Sequence, residues 1–181
     1  MVTVIGIDMS LTSTGVAVAD EQFVIAPATT GVERLHYFCE EFKKLFESLD
    51  SCAAVIEGYS FASRHSQAHS IGELGGVLKL TAFRCGVPIV VVPPTSRAKF
   101  ATGKGNASKS EVVSAISART GIVWQGKGAD DKCDAWVLEE IGRMRIGTER
   151  FVWPKQNVEA LEKVDFSALD EIIRKASENS E

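Results

Sequence analysis

The stretch VTVIGIDMSLTSTGVAVADEQFVIA, residues 2–26, decides the fold. Its opening alternates apolar side chains with small or polar ones and then becomes almost continuously apolar, as a strand leaving a core does. Two further apolar runs follow after short turns rich in Ser, Thr, Gly and Asp. Strands that follow one another so closely favour an antiparallel meander. The predicted strands are 2–8, 15–19 and 22–26, with a turn at 10–15.

Strands and helices alternate after this meander. Apolar residues recur every three or four positions from Val32 to Leu49, which predicts an amphipathic helix. Alternating strands and helices imply parallel pairing, so the class is α/β with a mixed sheet. Pro93-Pro94 is expected to close the last strand. The further predicted elements are a strand 52–56 ending at Glu57, a helix 67–85, a strand 87–92, a helix from Ser108 or Ser110 to Arg119, and a helix 129–145.

Composition excludes several classes of protein. The 181 residues are 45% hydrophobic and 24% charged, which is ordinary for a globular chain. No apolar run reaches the roughly 18 residues of a membrane-spanning helix, and the start has no basic region of a signal peptide. None of the four cysteines forms a C-x-x-C pair, so we interpret them as reduced thiols of a cytoplasmic protein. A net charge of −4 argues weakly against nucleic-acid binding through overall positive charge.

Carboxylates stand at the ends of buried strands and at the start of a helix. Asp8 and Glu57 each close a strand, and Asp131 and Asp134 share a helix face. Burying a carboxylate is costly unless it is paired or binds a cation. An oxygen-only set favours a hard cation, Mg²⁺ or Mn²⁺, and two such ions can drive phosphodiester hydrolysis.

Each acid also has an ordinary structural interpretation. Asp8 can be a turn residue and Glu57 a solvated strand end. Asp130 fits a helix N-cap better than a ligand, and Asp131 can stabilise the helix dipole. The four candidates together, in this order along the chain, favour the site over these separate readings.

Five segments together resemble the successive motifs of RuvC-type Holliday junction resolvases, which are members of the RNase H-like superfamily. The resemblance covers about residues 3–145 and rests on the order and spacing of the segments. It implies an RNase H-like fold with a mixed five-stranded sheet flanked by helices. The segments are GIDMSLTSTGVA, VIEGYSF, GELGGVLKL, VPPTSRAKFATGKGNASKSEVV and ADDKCDAWVLEEI.

The resemblance also implies a site and an activity. The family's acids fall on Asp8, Glu57, Asp131 and Asp134, with Asp130 left open as a replacement for Asp131. The resemblance further implies two Mg²⁺ ions, for which Mn²⁺ substitutes, and a homodimer. The implied activity is paired symmetric nicking of a four-way DNA junction. Lys109 matches a family lysine near the active site, where it would contact the scissile phosphate or the backbone. These five residues are the predicted catalytic set.

Residues 58–110 carry a local positive charge that the net value hides. They hold seven Lys or Arg and a single acid, Glu73. The Gly-rich loop 103–110, GKGNASKS, runs into a predicted helix N-terminus that can hold a phosphate; a solvated loop is the alternative. Phe61, after Tyr59, is a hypothetical aromatic for the junction centre. We interpret His65 and His69 as polar or DNA-facing residues and not as metal ligands.

Gly72, Gly75 and Gly76 weaken the predicted helix, so a close approach is expected there. A partner helix would give a homodimer through the 67–86 helix, as the resemblance implies. Close packing on the protein's own sheet is the alternative.

We predict two regions: a nuclease domain at 1–146, and an acidic extension at 147–181 with a short helix at 166–175. The extension holds eight acids against five bases, and its role is open. An ATPase of the actin and sugar-kinase type is excluded because 181 residues leave no room for its second half. A related nuclease acting on RNA or on other branched DNA, and a non-catalytic junction binder, remain as alternatives.

Overall fold

The first three strands form the predicted antiparallel meander. The structure is a computed structural model that describes residues 2–58 and 65–178. Strand β1 (Thr3–Asp8) pairs antiparallel with β2 (Thr14–Val18), which pairs antiparallel with β3 (Glu21–Ile25). In this register Asp8 lies opposite Gly15. The end of the first strand is thereby fixed beside the start of the second.

Two parallel strands complete the sheet. Strand β4 (Cys52–Glu57) pairs parallel with β1, and β5 (Ile89–Val92) pairs parallel with β4. The strand order is β3-β2-β1-β4-β5, so the predicted mixed five-stranded sheet is confirmed. Because β1 and β4 run in the same direction, their carboxyl ends, Asp8 and Glu57, meet at one edge of the sheet.

Helices cover both faces of this sheet. One face carries the first two helices. In the first of them the buried rings of Phe38, Phe42 and Phe46 stack, each on the next. The other face carries the fifth helix, which packs against the first two strands and the fourth. The helices are α1 (Gly31–Glu47), α2 (His65–Arg84), α3 (Pro94–Thr102), α4 (Lys109–Thr120), α5 (Ala129–Arg145), α6 (Lys155–Val158), which continues into a 3-10 turn (Glu159–Leu161), and α7 (Ser167–Glu178). In the part of the chain described, no helix combines the length and the apolar character needed to cross a membrane.

Helix α5 lies unusually close to the sheet because glycines remove the side chains between them. An added Cβ at Gly6 would stand 2.0 Å from the carbonyl oxygen of Ala135, and one at Gly142 would stand 2.6 Å from Val4. A side chain at Gly6 has no room against the backbone of α5, and one at Gly142 would have to displace the side chains of Val4 and Val55. The helix is held against β1 at both ends of the strand.

The prediction that Pro93-Pro94 closes the last strand is confirmed, because β5 ends at Val92, but the helix that starts at this point was not predicted. Pro94 occupies the first position of α3, and Gly103 ends that helix in the left-handed conformation at φ 83°. Proline is well suited to a first helical turn, since its missing N–H would have no partner there. The two prolines therefore end a strand and start a helix at the same point.

The extension after residue 146 packs into the main core. Trp153, Leu161, Phe166 and Leu169 are buried in the same hydrophobic cluster as Trp136 of α5. Helix α7 begins one residue later and ends three residues later than the predicted 166–175 helix. The division at 146 stays a prediction, but residues of the two predicted regions share one core.

Candidate active site

The two strand-end acids lie together at the carboxyl edge of the sheet. Asp8 is the last residue of β1 and is only 5% exposed, whereas the Glu57 side chain at the end of β4 is 19% exposed. The neighbouring residues Ile7 and Ile56 are partners in the parallel register. The sheet thus places both carboxylates side by side, as the sequence predicted.

Helix α5 brings the second pair of acids to the same edge. It begins after Gly128, whose φ of 70° lets the chain turn sharply above β2. Asp130 lies inside the first turn, so the prediction that it is the N-cap is wrong; Gly128 holds that position. Asp134 follows one turn later and is 1% exposed. Both turns of the helix therefore direct acids at the end of β1.

Lys109 joins these acids from the start of α4. Ser108 caps the helix by accepting a hydrogen bond from the N–H of Glu111, whose side chain in turn accepts from the N–H of Ser108. This capping box fixes the first turn, on which Lys109 stands. Its Nζ lies 2.9 Å from Asp131 Oδ1, 3.7 Å from Asp8 Oδ2 and 3.7 Å from Asp134 Oδ2. The ammonium thus marks the point at which three of the predicted carboxylates converge.

Glu57, the fourth predicted acid, is joined to the other acids by Arg97, which was not among the predicted site residues. Arg97 of α3 donates from Nε to Glu57 Oε1 at 2.5 Å and from Nη1 to Asp134 Oδ1. Its side chain is 8% exposed, so this pairing takes place in the interior. The sequence contained Arg97 only as part of a basic segment. Recognising that Pro94 starts a helix would have allowed the prediction that Arg97 faces the interior.

Asp130 and Asp131, left open by the sequence, differ in their geometry. The Asp131 side chain is 13% exposed and lies 2.9 Å from Lys109, whereas that of Asp130 is 48% exposed and lies 3.4 Å away. Asp131 is thus the more enclosed of the two and closer to the point of convergence. The assignment of either as a ligand stays a prediction.

Burial and mutual repulsion raise the pKa of two acids. Burial is the main reason that the pKa of Asp8 lies well above its ordinary value, with Glu57 and Asp134 adding to the rise. Burial also raises the pKa of Asp134 to about 6, although Arg97 and Lys109 act against the shift. The cluster therefore holds more negative charge than its two basic residues neutralise.

The two basic residues respond in the opposite way. Burial disfavours the charge of Lys109, but Asp8 and the neighbouring carboxylates outweigh it and raise its pKa. Burial likewise disfavours the charge of Arg97, and Glu57 and Asp134 more than compensate, so its pKa rises too. Both side chains stay cationic within the cluster.

The donor set fits a hard divalent cation. All four predicted ligands offer carboxylate oxygens, which Mg²⁺ and Mn²⁺ prefer. Asp134 Oδ2 is buried and has no hydrogen-bond partner, as expected of an oxygen that a cation would satisfy. Among the described residues no group of three or more His, Cys, Asp or Glu is gathered ready to hold a metal. In the described arrangement, Lys109 and Arg97 stand among the acids.

Other predicted positions are distributed around this edge. Of the predicted 103–110 loop, residues 103–108 connect α3 to α4, whereas 109 and 110 already belong to α4. The Lys104 N–H donates to Thr102 Oγ1. Tyr59 and Phe61, together with the side chain of His65, lie outside the described residues. His69 is exposed on α2.

Two of the three glycines of α2, Gly72 and Gly76, do not pack closely on the protein's own sheet. An added Cβ at Gly72 or Gly76 would meet no described atom within 4 Å. The alternative of close packing on the sheet is therefore wrong for these two positions. Leu80 and Phe83 of the same helix are 49% and 82% exposed.

Comparison with known proteins points to one family. No protein-family profile matches the chain. It is 25% identical over 154 residues to the crossover junction endodeoxyribonuclease RuvC of Carboxydothermus hydrogenoformans, covering 80% of this chain and 97% of that protein. It is 28% identical over 110 residues to RuvC of Synechococcus sp. WH7803, covering 61% and 70%.

Solved structures give the same answer for the fold. Thermus thermophilus RuvC in complex with a Holliday junction substrate superimposes with a TM-score of 0.62 at 22% identity, covering 82% of this chain and 98% of that one. A second structure of T. thermophilus RuvC gives the same TM-score. The resemblance seen in the sequence is thus confirmed: this chain is similar in sequence to the RuvC crossover junction endodeoxyribonucleases and has their RNase H-like fold.

Proposed function

We propose that the protein is a crossover junction endodeoxyribonuclease, a Mg²⁺-dependent hydrolase that resolves four-way DNA junctions by paired symmetric nicks. The observation that carries the proposal is the convergence of Asp8, Asp131 and Asp134 on one ammonium group at the edge where Glu57 also lies. The sequence similarity to proteins of that name supports the substrate. Binding to branched DNA is supported by the RuvC structure in complex with a Holliday junction.

In this proposal the four carboxylates hold two Mg²⁺ ions, for which Mn²⁺ substitutes. Bound divalent ions supply the Lewis acidity that activates a water and stabilises the leaving oxygen of the phosphodiester. The protein's own part is to fix the acids: Asp8 and Glu57 by adjacent parallel strands, Asp131 and Asp134 by successive turns of α5. Burial at this edge limits bulk water around the reacting phosphate.

Lys109 acts on the DNA. Its side chain is 51% exposed although its ammonium reaches the acids, so it stands between the cluster and solvent. From this position its ammonium would contact the scissile phosphate. The α4 N-terminus, with its free N–H groups and dipole, favours the same anion.

Cleavage of a synthetic four-way junction tests the activity. We expect paired nicks in Mg²⁺ or Mn²⁺, no nicks in EDTA, and loss of cleavage in Asp8→Asn. Lys109→Ala is expected to cut more slowly. If Asp8→Asn cuts as well as the wild type, the site is wrongly assigned.

The same assay separates the alternatives. Faster cutting of RNA–DNA hybrids or flaps than of junctions would favour a related nuclease with a different substrate. Tight junction binding without cleavage in any divalent ion would favour a non-catalytic binder. We propose a cytoplasmic location, which agrees with four free cysteines.

The exposed face of α2 supports a homodimer. Gly76, Leu80 and Phe83 follow one another at helical spacing and are all exposed. A small residue beside two large apolar ones suits a second copy of the helix, since the glycine allows close approach. Two copies would place one site on each of two strands, as symmetric nicking requires.

Sedimentation velocity tests this interface. We expect a dimer for the wild type and a monomer for Phe83→Glu. The matched control is Val152→Glu, which changes an apolar side chain that is 93% exposed in the extension. It is expected to leave the dimer intact. A wild-type monomer at working concentration would contradict the proposal.

A further inference from the structure

Arg97 is enclosed in the acid cluster in a way that Lys109 is not. The Arg97 side chain is 8% exposed, whereas that of Lys109 is 51% exposed. Each guanidinium hydrogen bond goes to a different acid, Glu57 on β4 and Asp134 on α5. One planar group therefore connects the strand-end acid to the helix acid.

Arg97 remains charged despite this enclosure, because Glu57 and Asp134 compensate for its burial. A guanidinium does not lose its proton under ordinary conditions, and its planar fork holds two carboxylates in fixed directions. Two carboxylates offset the cost of burying the group, which would be high for an unpaired cation. The exposed Lys109 side chain can turn towards solvent or DNA, whereas the buried Arg97 side chain cannot.

The helix that carries Arg97 is held from behind by the extension. Asn157 Nδ2 donates to the carbonyl oxygen of Phe100 at 2.6 Å, and both groups are buried. The rings of Phe100 and Trp153 lie 4.2 Å apart, centre to centre. These contacts fix α3, and the position of Arg97 with it, independently of the acids.

We propose that Arg97 is a positioning residue: a built-in counterion that aligns Glu57 and Asp134 and at the same time lowers the affinity of the cluster for divalent ions. The inference rests on the proposed function, since it assigns a role within that site. A fixed positive charge beside the ligands repels an incoming cation. It also prevents the two acids from moving apart through their mutual repulsion while no cation is bound.

The two effects give a signature that a purely structural role does not. Arg97→Gln is expected to bind Mg²⁺ at least about threefold more tightly, because a repelling charge is gone. At saturating Mg²⁺ it is expected to cut more slowly, with the KM for the junction unchanged, because Arg97 is too buried to contact DNA. Arg97→Lys keeps the charge without the fork, so we expect near wild-type Mg²⁺ affinity and a reduced kcat.

Calorimetric Mg²⁺ titration without DNA, followed by steady-state cleavage, tests this directly. Arg174→Gln makes the same chemical change on α7, at a side chain that is 63% exposed, and is expected to match the wild type in both measurements. Unchanged Mg²⁺ affinity in Arg97→Gln would overturn the proposal, and so would a raised KM with unchanged kcat. If Arg97→Gln does not fold, Arg97→Lys decides the matter: wild-type kcat in that variant would overturn the aligning role.

Failure of the proposed function would be recognised separately. A wild-type protein that cuts no junction would contradict the endonuclease proposal. The Mg²⁺ titration of Arg97→Gln against wild type would still show whether Arg97 weakens ion binding.

Discussion

An added Cβ at Gly15 would lie 2.1 Å from the carbonyl oxygen of Asp131, so β2 and the first turn of α5 meet through backbone atoms. The same strand position pairs with Asp8. Two of the proposed ligands are therefore fixed relative to each other by one glycine. Any side chain at residue 15 must displace the start of α5.

Gly15→Ala is expected to lower both stability and cleavage. Overpacking of a filled interior costs about 1–3 kcal/mol, and the displaced helix would carry Asp131 away from Asp8. Urea unfolding and junction cleavage measure the two effects. The matched control is Val152→Ala, at a side chain that is 93% exposed and far from this contact along the chain. Undiminished stability in Gly15→Ala would contradict the close contact.

Asp8→Asn is expected to stabilise the metal-free protein while abolishing cleavage. The pKa of Asp8 is raised mainly by burial, so its charge opposes folding at neutral pH. Removing that charge should raise Tm in EDTA at pH 7.5 by at least about 2 °C. Excess Mg²⁺ should favour the wild type instead, because only the wild type keeps all its ligands. A lower Tm for the variant in EDTA would contradict the prediction.

The pH dependence of the metal-free wild type follows from the same shifts. Burial raises the pKa of Asp134 in the folded protein to about 6, from an ordinary value of 3.8. A raised acid pKa means that the folded state binds its proton more tightly. The stability gained this way is complete below about pH 4 and is lost as pH rises through about 6. Thermal unfolding in EDTA should therefore show that the stability advantage of Asp134→Asn over the wild type shrinks between pH 7.5 and pH 5. An advantage that grows on acidification would contradict the assignment.

Arg150 is expected to be essential for folding. It donates to Glu139 at 2.6 Å and to Glu140 at 3.2 Å, two acids of α5 whose side chains are 0% exposed. Removing one partner of a buried ion pair costs about 3–5 kcal/mol, so Arg150→Met should unfold at much lower urea. Arg174→Met, at an exposed position, should change stability by no more than about 0.5 kcal/mol. Equal midpoints for the two variants would contradict the role of Arg150.

Gly76→Ala is expected to act in opposite directions on the fold and on the dimer. Alanine favours the helix over glycine by about 1 kcal/mol, and the monomer has room for the added methyl group. A partner helix pressed against this position would be pushed away. Urea unfolding of the monomeric Phe83→Glu background should show the gain, and sedimentation of the single variant should show weaker dimers. A variant dimer that dissociates no more readily than the wild-type dimer would show that Gly76 is not part of the interface.

The sequence predicted the sheet and the four acids because both depend on local patterns. An alternating apolar run predicts a strand, and an acid at its end is visible without knowing what lies beside it. Arg97 could not be identified in this way, because its pairing with Glu57 and Asp134 depends on α3, which sequence reasoning missed. The two prolines were taken only as the end of a strand, although proline also suits a first helical turn.

The buried acids of α5 were missed for a related reason. Glu139 and Glu140 look like ordinary exposed helix residues until Arg150 is brought to them from the extension. Arg150 lies ten residues or more later in the chain, after a turn that hydrophobic periodicity does not predict. Long-range ion pairs of this kind become visible only with the tertiary structure.

The direct contact of α5 with the sheet has a consequence for sequence divergence. Gly6 and Gly15 set the distance between the helix and the sheet through backbone atoms of Ala135, Glu139 and Asp131. At these two points the distance does not depend on which side chains fill the rest of the core, so those side chains are free to differ. A fold that is retained at 22% identity to T. thermophilus RuvC is compatible with that freedom.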